Sequence, residues 1–267
     1  MRQCCLSFAG LLLIASWIHA QQPPPQQAVA AKLDEVLEKW EKSMTGMQSM
    51  TVYCKRTTLD KTFNSKDEYQ GLAKLLKSNV PNQPCRGSLE MYKMEPDPKD
   101  KTKMQARGDV YEKYVCSGTF LYEFAPASKV IRVHEMAPKP GQATGDNFFD
   151  FLFGMKAKEV KDRYQMVYVP AQDNNVWHYV RILPKAAADK AEFSEARLVL
   201  SATTFLPRQL WFQQPNGSEV TWDLPKVISN PEDVRATDFG QPALPNGWQF
   251  VRAPRDPQAR LVRPGKQ

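Results

Sequence analysis

The 267-residue chain is poor in the residues from which most active sites are built. It has 3 His, and the two beyond the N-terminal segment, His134 and His178, each stand alone in an alternating stretch typical of a β-strand. The chain contains no G-x-S-x-G, H-E-x-x-H, P-loop or G-x-G-x-x-G motif. We therefore expect no enzyme, with no catalytic residue, no metal ion and no cofactor.

Glycine is also scarce, with 13 residues against 21 Pro. Proline suits stiff corners, so this ratio favours a β-rich fold with many ordered turns. The 42% of hydrophobic and 24% of charged residues are ordinary for a globular protein and exclude wholesale disorder. A chain of this length buries roughly 70% of the surface that it exposes when unfolded, so it can fold without a metal ion or a disulfide.

Long hydrophobic runs are missing except near the N-terminus, where Leu6 to Ile18 is nearly uncharged. Arg2 precedes this run and Ala20 follows it, as in a secretory signal peptide that is cleaved after Ala20. The alternative is an uncleaved anchor, but the run is shorter than the about 20 residues that cross a bilayer. Cys4 and Cys5 lie before the run, so we expect no lipid-anchored N-terminus. The predicted location is periplasmic or secreted.

The formal charge of +7 is concentrated at the C-terminus. Residues 251–267 hold five basic residues against one acidic residue, Asp256, which makes a net +4 for this stretch. Because the rest of the mature chain is close to neutral, we expect no nucleic-acid partner. Residues 253–267 are predicted to be a basic flexible tail, either simply solvated or a tether to an anionic envelope surface.

Three cysteines remain after the predicted cleavage: Cys54, Cys85 and Cys116. An odd number in an exported protein leaves at least one free thiol or an intermolecular bridge. The chain has neither a C-x-x-C pair nor a His–Cys spacing suited to zinc. Cys116 stands in an apolar stretch and is predicted to be a buried, inert residue.

Hydrophobic periodicity divides the chain into a helical start and a β-rich remainder. Residues 21–28 are a Pro/Gln linker, and apolar residues then recur every three or four positions from Val29 to Met47, which predicts an amphipathic helix. A second helix is predicted from about Asn147 to Tyr164. The polar segment from Lys93 to Lys113 is predicted to be a solvated loop, and Asn216-Gly217 between two alternating runs predicts a hairpin.

The remaining segments alternate with a period of two and predict about ten or eleven strands. Many antiparallel strands with few helices indicate a curved sheet or partly open barrel whose concave face the helices cover. The predicted fold is therefore mainly β (α+β), an incomplete antiparallel β-barrel. Residues 1–20 are predicted to be the signal peptide, and residues 29–252 to form one domain.

Several stretches, taken in their order along the chain, match motifs of one known family. They are Ser117 to Phe124, Trp177 to Lys185 with its final Pro-Lys, Leu206 to Leu210, Asn216-Gly217, and Val220 to Trp222. The chain resembles the periplasmic lipoprotein carriers of Gram-negative envelopes, the LolA-like superfamily. It is most similar to the planctomycete-type exported members of unassigned function. The resemblance covers residues 29–251 and implies a half-barrel whose helix-capped apolar cavity takes acyl chains.

One feature of that family has no full counterpart in this chain. The carriers hold their helical lid with an arginine after the second strand, and the best-matching position here is Lys77. Lysine is a point charge without the rigid fork of arginine, so the latch is not carried over.

Candidate ligand-binding residues are apolar side chains at period-two spacing, which puts each set on one face of the predicted sheet. They are Trp40 on the helix and Phe120, Tyr122, Phe124, Leu198, Leu200, Leu210, Phe212, Trp222 and Leu224 on the strands. The pattern does not fix which face is concave, so Leu121, Val199 and Trp211 are the alternatives.

Two functions remain open at this point. The first is an envelope-space carrier or binder whose partners are the acyl chains of lipids or lipoproteins. The second is a non-enzymatic regulatory or structural interaction module on the same fold, similar to lipid-sensing regulators of envelope stress, with an envelope membrane protein as partner. A cavity of several hundred cubic ångströms suits the first, and a solid core suits the second.

Overall fold

The computed structural model describes residues 26–78, 86–136, 156–170 and 175–253. In these residues, twelve strands form one sheet in the order β12-β6-β5-β4-β3-β2-β1-β11-β10-β9-β8-β7. The strands are β1 (Ser49–Asp60), β2 (Ser65–Leu76), β3 (Arg86–Pro96), β4 (Met104–Cys116), β5 (Phe120–Ala125), β6 (Val130–Glu135), β7 (Tyr164–Tyr168), β8 (Trp177–Pro184), β9 (Glu195–Ser201), β10 (Pro207–Gln213), β11 (Glu219–Ser229) and β12 (Gln249–Arg252).

Neighbouring strands pair antiparallel, except that β12 runs parallel to β6. β7 and β12 stand at the two ends of this order, so the sheet is not closed. The helices are α1 (Gln26–Thr45), α2 (Ala157–Arg163) and α3 (Ala187–Lys190), with short 3-10 helices at Pro126–Ser128 and Ala236–Phe239. The prediction of a mainly β, incomplete barrel with helices is confirmed, with twelve strands instead of ten or eleven.

Helix α1 forms as its apolar period predicts, although it begins at Gln26 inside the expected linker. Five of its apolar side chains are buried on one stripe: Leu33, Val36, Leu37, Trp40 and Met44. α2 is short and ends at Arg163, because Tyr164 already opens β7. The earlier part of the second predicted helix, the signal peptide, Cys85 and residues 254–267 lie outside the described residues.

The loop predicted between Lys93 and Lys113 is wrong for most of its length. β3 continues to Pro96 and β4 begins at Met104, so only residues 97–103 connect the two strands. The charged side chains that suggested a loop instead pair across the hairpin, as Arg107 does with Glu95 at 3.5 Å. Such cross-strand pairs are compatible with a solvated two-stranded ribbon.

Strand register sorts the side chains onto two faces, because directly paired residues share a face. We call the face of the sheet that packs against α1 the inner face. On β1 this face includes Val52, Cys54 and Arg56. Ala73 pairs with Val52 and with Leu89, so both belong to the inner face. The same pairing rule extends the inner face across the whole sheet.

The opposite, outer face is partly covered by the chain itself. After β11, residues 230–248 run back past β1 to reach β12 on the far edge of the sheet, and we call them the crossover segment. Asp233 of this segment forms a 2.7 Å ion pair with Lys74 on the outer face of β2. The Trp248 ring lies 6.0 Å from that of Phe124 on β5. The crossover segment therefore gives the outer face a small core of its own.

Candidate ligand site on the inner face

The inner face beneath α1 is built from apolar side chains of the helix and of both halves of the sheet. A single buried cluster joins α1 to β1, β2, β3 and β7 to β11. Trp40 lies within this cluster and is 0% exposed. This half of the curved sheet is thus filled by the helix, not by solvent.

A small cleft opens where the last turn of α1 meets the ends of β1 and β2. It holds about 10 Å³ and is lined by Met44, Met47, Gln48, Ser49, Met50, Leu75, Leu76 and Lys77. That volume is close to the minimum for a single water molecule. We call it the methionine cleft, after the three methionines in its wall.

Lys77 stands at the mouth of the methionine cleft. Its Nζ donates to the carbonyl oxygen of Thr45 at 3.2 Å, and its backbone N donates to Gln48 O at 2.8 Å. A cation at the carbonyl end of a helix is favourable because the helix dipole is negative there. Lys77 therefore ties the C-terminus of α1 to the end of β2, although we expected no latch at this lysine.

Seven of the candidate residues lie where the sequence placed them, on the face beneath α1. Six of them are buried in the cluster of α1: Trp40, Leu198, Leu200, Leu210, Trp222 and Leu224. Phe212 packs against the same cluster and is partly buried. Val199 and Trp211, their alternatives, lie on the outer face, since Trp211 pairs with Arg197 and Gln209 with Val199.

The other three candidates are on the wrong face for this site. Leu89 pairs with Tyr114 and Tyr114 with Glu123, so the inner face of β5 carries Leu121 and Glu123. The outer face accordingly carries Phe120, Tyr122 and Phe124. These aromatics form the core beneath the crossover segment, together with Ile131 and Phe250. Aromatic residues at every second position indicate that one face of the strand is buried. They do not indicate which part of the chain covers that face.

The sequence reasoning missed a buried charge on the inner face. Arg56 of β1 is 5% exposed, and its Nη1 donates to Glu112 Oε2 at 2.6 Å. Its guanidinium carbon lies 4.3 Å from the ring centroid of Tyr69 and 5.3 Å from that of Trp222. We call these four residues the Arg56 cluster. The available signal was the period of β1, which places Arg56 in step with Val52 and Cys54.

The Arg56 cluster spans the concavity of the sheet. β1 and β4 are separated by β2 and β3 in the strand order, yet their side chains meet in one ion pair. Arg56 Nε is buried and has no hydrogen-bond partner among the described residues. Buried polar atoms are nearly always paired, so this donor is available to an additional acceptor.

Burial also perturbs the titration of neighbouring inner-face groups. Burial, then a hydrogen bond with Tyr111, raises the pKa of Tyr69. Burial, reinforced by the carboxylate of Glu112, raises the pKa of Tyr114. Burial raises the pKa of the Cys54 thiol to about 12, so this cysteine is not a nucleophile at neutral pH.

A second polar group lies on the inner face towards β6. Glu123 accepts from Arg132 at 2.9 Å and lies 2.9 Å from His134 Nε2. The hydrogen bond from His134 is the main cause that lowers the pKa of Glu123. The other histidine, His178, is buried against Tyr168 and stacks on Phe205. Both histidines therefore have structural partners.

Among the residues described, no group of three or more His, Cys, Asp or Glu side chains could hold a metal ion. None of the described helices has the length and apolar character needed to cross a bilayer. What the inner face offers is an extensive apolar surface, a narrow methionine cleft and one buried arginine. The cleft of about 10 Å³ is far smaller than a ligand pocket of several hundred cubic ångströms, so an apolar ligand can bind here only if the methionines or α1 move.

Comparison with known proteins gives matches to solved structures alone. No family model and no curated protein sequence matches the chain. An uncharacterized conserved protein from Thermus thermophilus has 9% identity and a TM-score of 0.44, over 83% of this chain and 99% of that one. A DUF1329 family protein from Desulfovibrio piger has 10% identity and a TM-score of 0.43, over 81% and 99%.

A LolA superfamily protein from Nitrosomonas europaea is also similar, with 12% identity and a TM-score of 0.35 over 78% of this chain and 97% of that one. It belongs to the superfamily that the sequence motifs resemble. All three TM-scores are below 0.5, so we take the functional argument from the residues of this chain.

Proposed function

We propose that the protein is a non-enzymatic binder or carrier of acyl chains from lipids or lipidated proteins, exported to the periplasm or beyond after cleavage at Ala20. The acyl chain enters at the methionine cleft and takes the place that part of α1 now fills. The observation that carries this proposal is the continuity of the cleft with the apolar cluster beneath α1.

Methionine makes the cleft adaptable. Its unbranched side chain fits irregular apolar ligands better than a β-branched one does. Met44, Met47 and Met50 are each at most 7% exposed, so their movement opens a path towards buried Trp40. Burial of an acyl chain gains about 25 cal/mol per Å² of apolar surface, which needs no directional group.

Polar ties join α1 to the rest of the described fold at several points, and one of them is partly buried: the backbone N of Ala157 donates to Glu41 Oε2 at 2.9 Å. Lys161 pairs with Asp34 at 2.6 Å, and Lys77 caps Thr45. Exposed ion pairs of this kind contribute about 0–1 kcal/mol each. Because apolar contact supplies most of the attachment, an acyl chain that provides the same kind of contact can offset the apolar burial that is lost when part of the helix moves.

A carboxylate introduced into the cleft tests the proposal. The variant Met47→Glu places a charge among apolar walls. The control Gln70→Glu adds the same charge at an exposed side chain on the outer face of β2, away from the cleft. Quenching of tryptophan fluorescence by a brominated fatty acid reports binding. We expect binding by the wild type and by Q70E, and a loss of about tenfold or more for M47E, because a charge in an apolar site is costly. Equal binding by M47E and Q70E would exclude this entry route.

The filled inner face supports a second candidate. With Trp40 at 0% exposure and a cleft of about 10 Å³, the fold also suits an interaction module that needs no ligand. In that case the wild type takes up no acyl probe, and affinity capture from its own envelope retains a membrane protein instead. Uptake of the probe by the wild type would set this candidate aside.

A further inference from the structure

We infer that Arg56 is the anion site for the head group of the acyl ligand, and that Glu112 occupies this site until the ligand replaces it. The inference rests on the proposed function and adds the chemical class of the ligand: an acyl chain that ends in a carboxylate or a phosphate.

Arg56 has the features of an anion receptor. Its guanidinium is 5% exposed and stacks on two aromatic rings, which fixes the plane of the fork. Such a fork binds carboxylates and phosphates with two parallel hydrogen bonds. Glu112 accepts from Nη1, and Nε is unpartnered among the described residues, so donor capacity remains for a second oxygen.

When an anion replaces it, Glu112 can move away from Arg56 without leaving that buried cation unpaired. Its side chain is 17% exposed against 5% for Arg56, so it lies nearer to solvent. The register of the β3–β4 pair shifts beside it, between Met91 and Tyr92, and such bulges often adjust the aim of a side chain. An incoming anion would keep Arg56 paired, which avoids the penalty of an uncompensated buried cation.

The distance between Arg56 and the methionine cleft suits an acyl chain. Arg56 lies six positions along β1 from Met50, which corresponds to about 20 Å of strand. One leaflet of a bilayer has an acyl layer of about 15 Å, half of the hydrocarbon core. The inner-face residues between the two ends are apolar or small: Val52, Cys54, Gly71 and Ala73. Arg56 and the cleft are thus separated by about the length of an acyl chain, along a path that the tail would occupy in place of side chains now packed beneath α1.

Two substitutions with opposite expected effects test the inference. Binding of palmitate and of palmityl alcohol, which has the same chain without the charge, is measured by tryptophan quenching for each protein. The wild type should prefer palmitate by about tenfold, the value of one charge-assisted contact. Arg56→Met should lose this preference. Glu112→Gln should increase it, because the internal competitor is gone, while the alcohol binds as before.

The control variant is Glu195→Gln, which removes an ion-paired carboxylate from Arg181 and Arg197 on the outer face. It should leave the preference unchanged. If R56M does not fold, the gain of palmitate affinity in E112Q carries the test alone. Inorganic phosphate is the third arm: displacement of palmitate by millimolar phosphate alone would identify a free-anion site instead of a head-group site.

The outcomes separate the two proposals. If neither probe binds the wild type, the proposed function fails and this inference fails with it. If both probes bind equally, or if R56M and E112Q change palmitate binding in the same direction, the Arg56 cluster is only a structural ion pair. The acyl-binding function would stand in that case.

Discussion

Substituting Trp40 by Ala measures how firmly α1 is packed on the sheet. Trp40 is 0% exposed, and a buried Trp removes roughly 150–250 Å² from water. At about 25 cal/mol per Å², the lost burial alone is worth roughly 4–6 kcal/mol before the part that Ala retains. Measured Trp→Ala changes in cores cost about 3–5 kcal/mol, and we expect a loss in this range.

Urea denaturation followed by circular dichroism gives the free energy of unfolding. The matched variant is Trp211→Ala on the outer face, where the partly buried ring donates from Nε1 to Glu219 at 3.1 Å. It should lose about 1.5–3 kcal/mol, the value of a hydrogen bond to a charged group, and thus less than W40A. The acyl probe should restore part of the stability of W40A, since it can fill the space that the indole leaves. A loss below about 1 kcal/mol for W40A would refute the packing argument.

Two further predictions concern the inner face. Gly71→Ala should lower the free energy of unfolding by about 1–3 kcal/mol, because the added Cβ would overlap the Glu90 carbonyl oxygen and the Met91 sulfur; an unchanged urea midpoint would contradict this packing. Glu123 has a lowered pKa in the folded protein, chiefly through its hydrogen bond with His134, so its contribution to stability is present above its ordinary pKa of 4.5 and is lost as the pH falls through the folded value. The stability difference between wild type and Glu123→Gln should therefore shrink on acidification, and a difference that is constant from about pH 7 to acid would contradict the assignment.

Local periodicity was sufficient for much of the fold. The apolar stripe of α1 follows from steps of three and four residues. Alternation groups the apolar side chains of β9 to β11 onto one face of each strand, but it does not indicate which face α1 covers. These patterns predict the buried side correctly because one neighbouring surface covers the apolar face of each element along its whole length. The prediction of a loop from Lys93 to Lys113 was wrong because charged side chains on a hairpin that is solvated on both faces resemble charged side chains in a loop.

Features that depend on distant partners could not be predicted in this way. Tyr122 and Phe124 of β5 are covered by Phe250 and Trp248, which come from a distant part of the chain. The sequence shows Arg56 only as an arginine in an otherwise apolar register. Its partner Glu112 is on β4, three strands away from β1 in the sheet. Whether side chains on two non-adjacent strands meet depends on the curvature of the sheet. The alternation pattern of a single strand does not encode that curvature.

The crossover segment also has a consequence for the order in which the molecule folds. The first strand pairs with β11, and Gln48 N donates to Asn230 Oδ1 across 182 residues. The outer-face aromatics of β5 gain their cover only when β12 docks on β6. Proteins dominated by such non-local pairing fold in milliseconds to seconds. During synthesis from the N-terminus, the aromatic surface of β5 therefore stays exposed until residues 248–252 have emerged, and until then it is open to non-native apolar contacts.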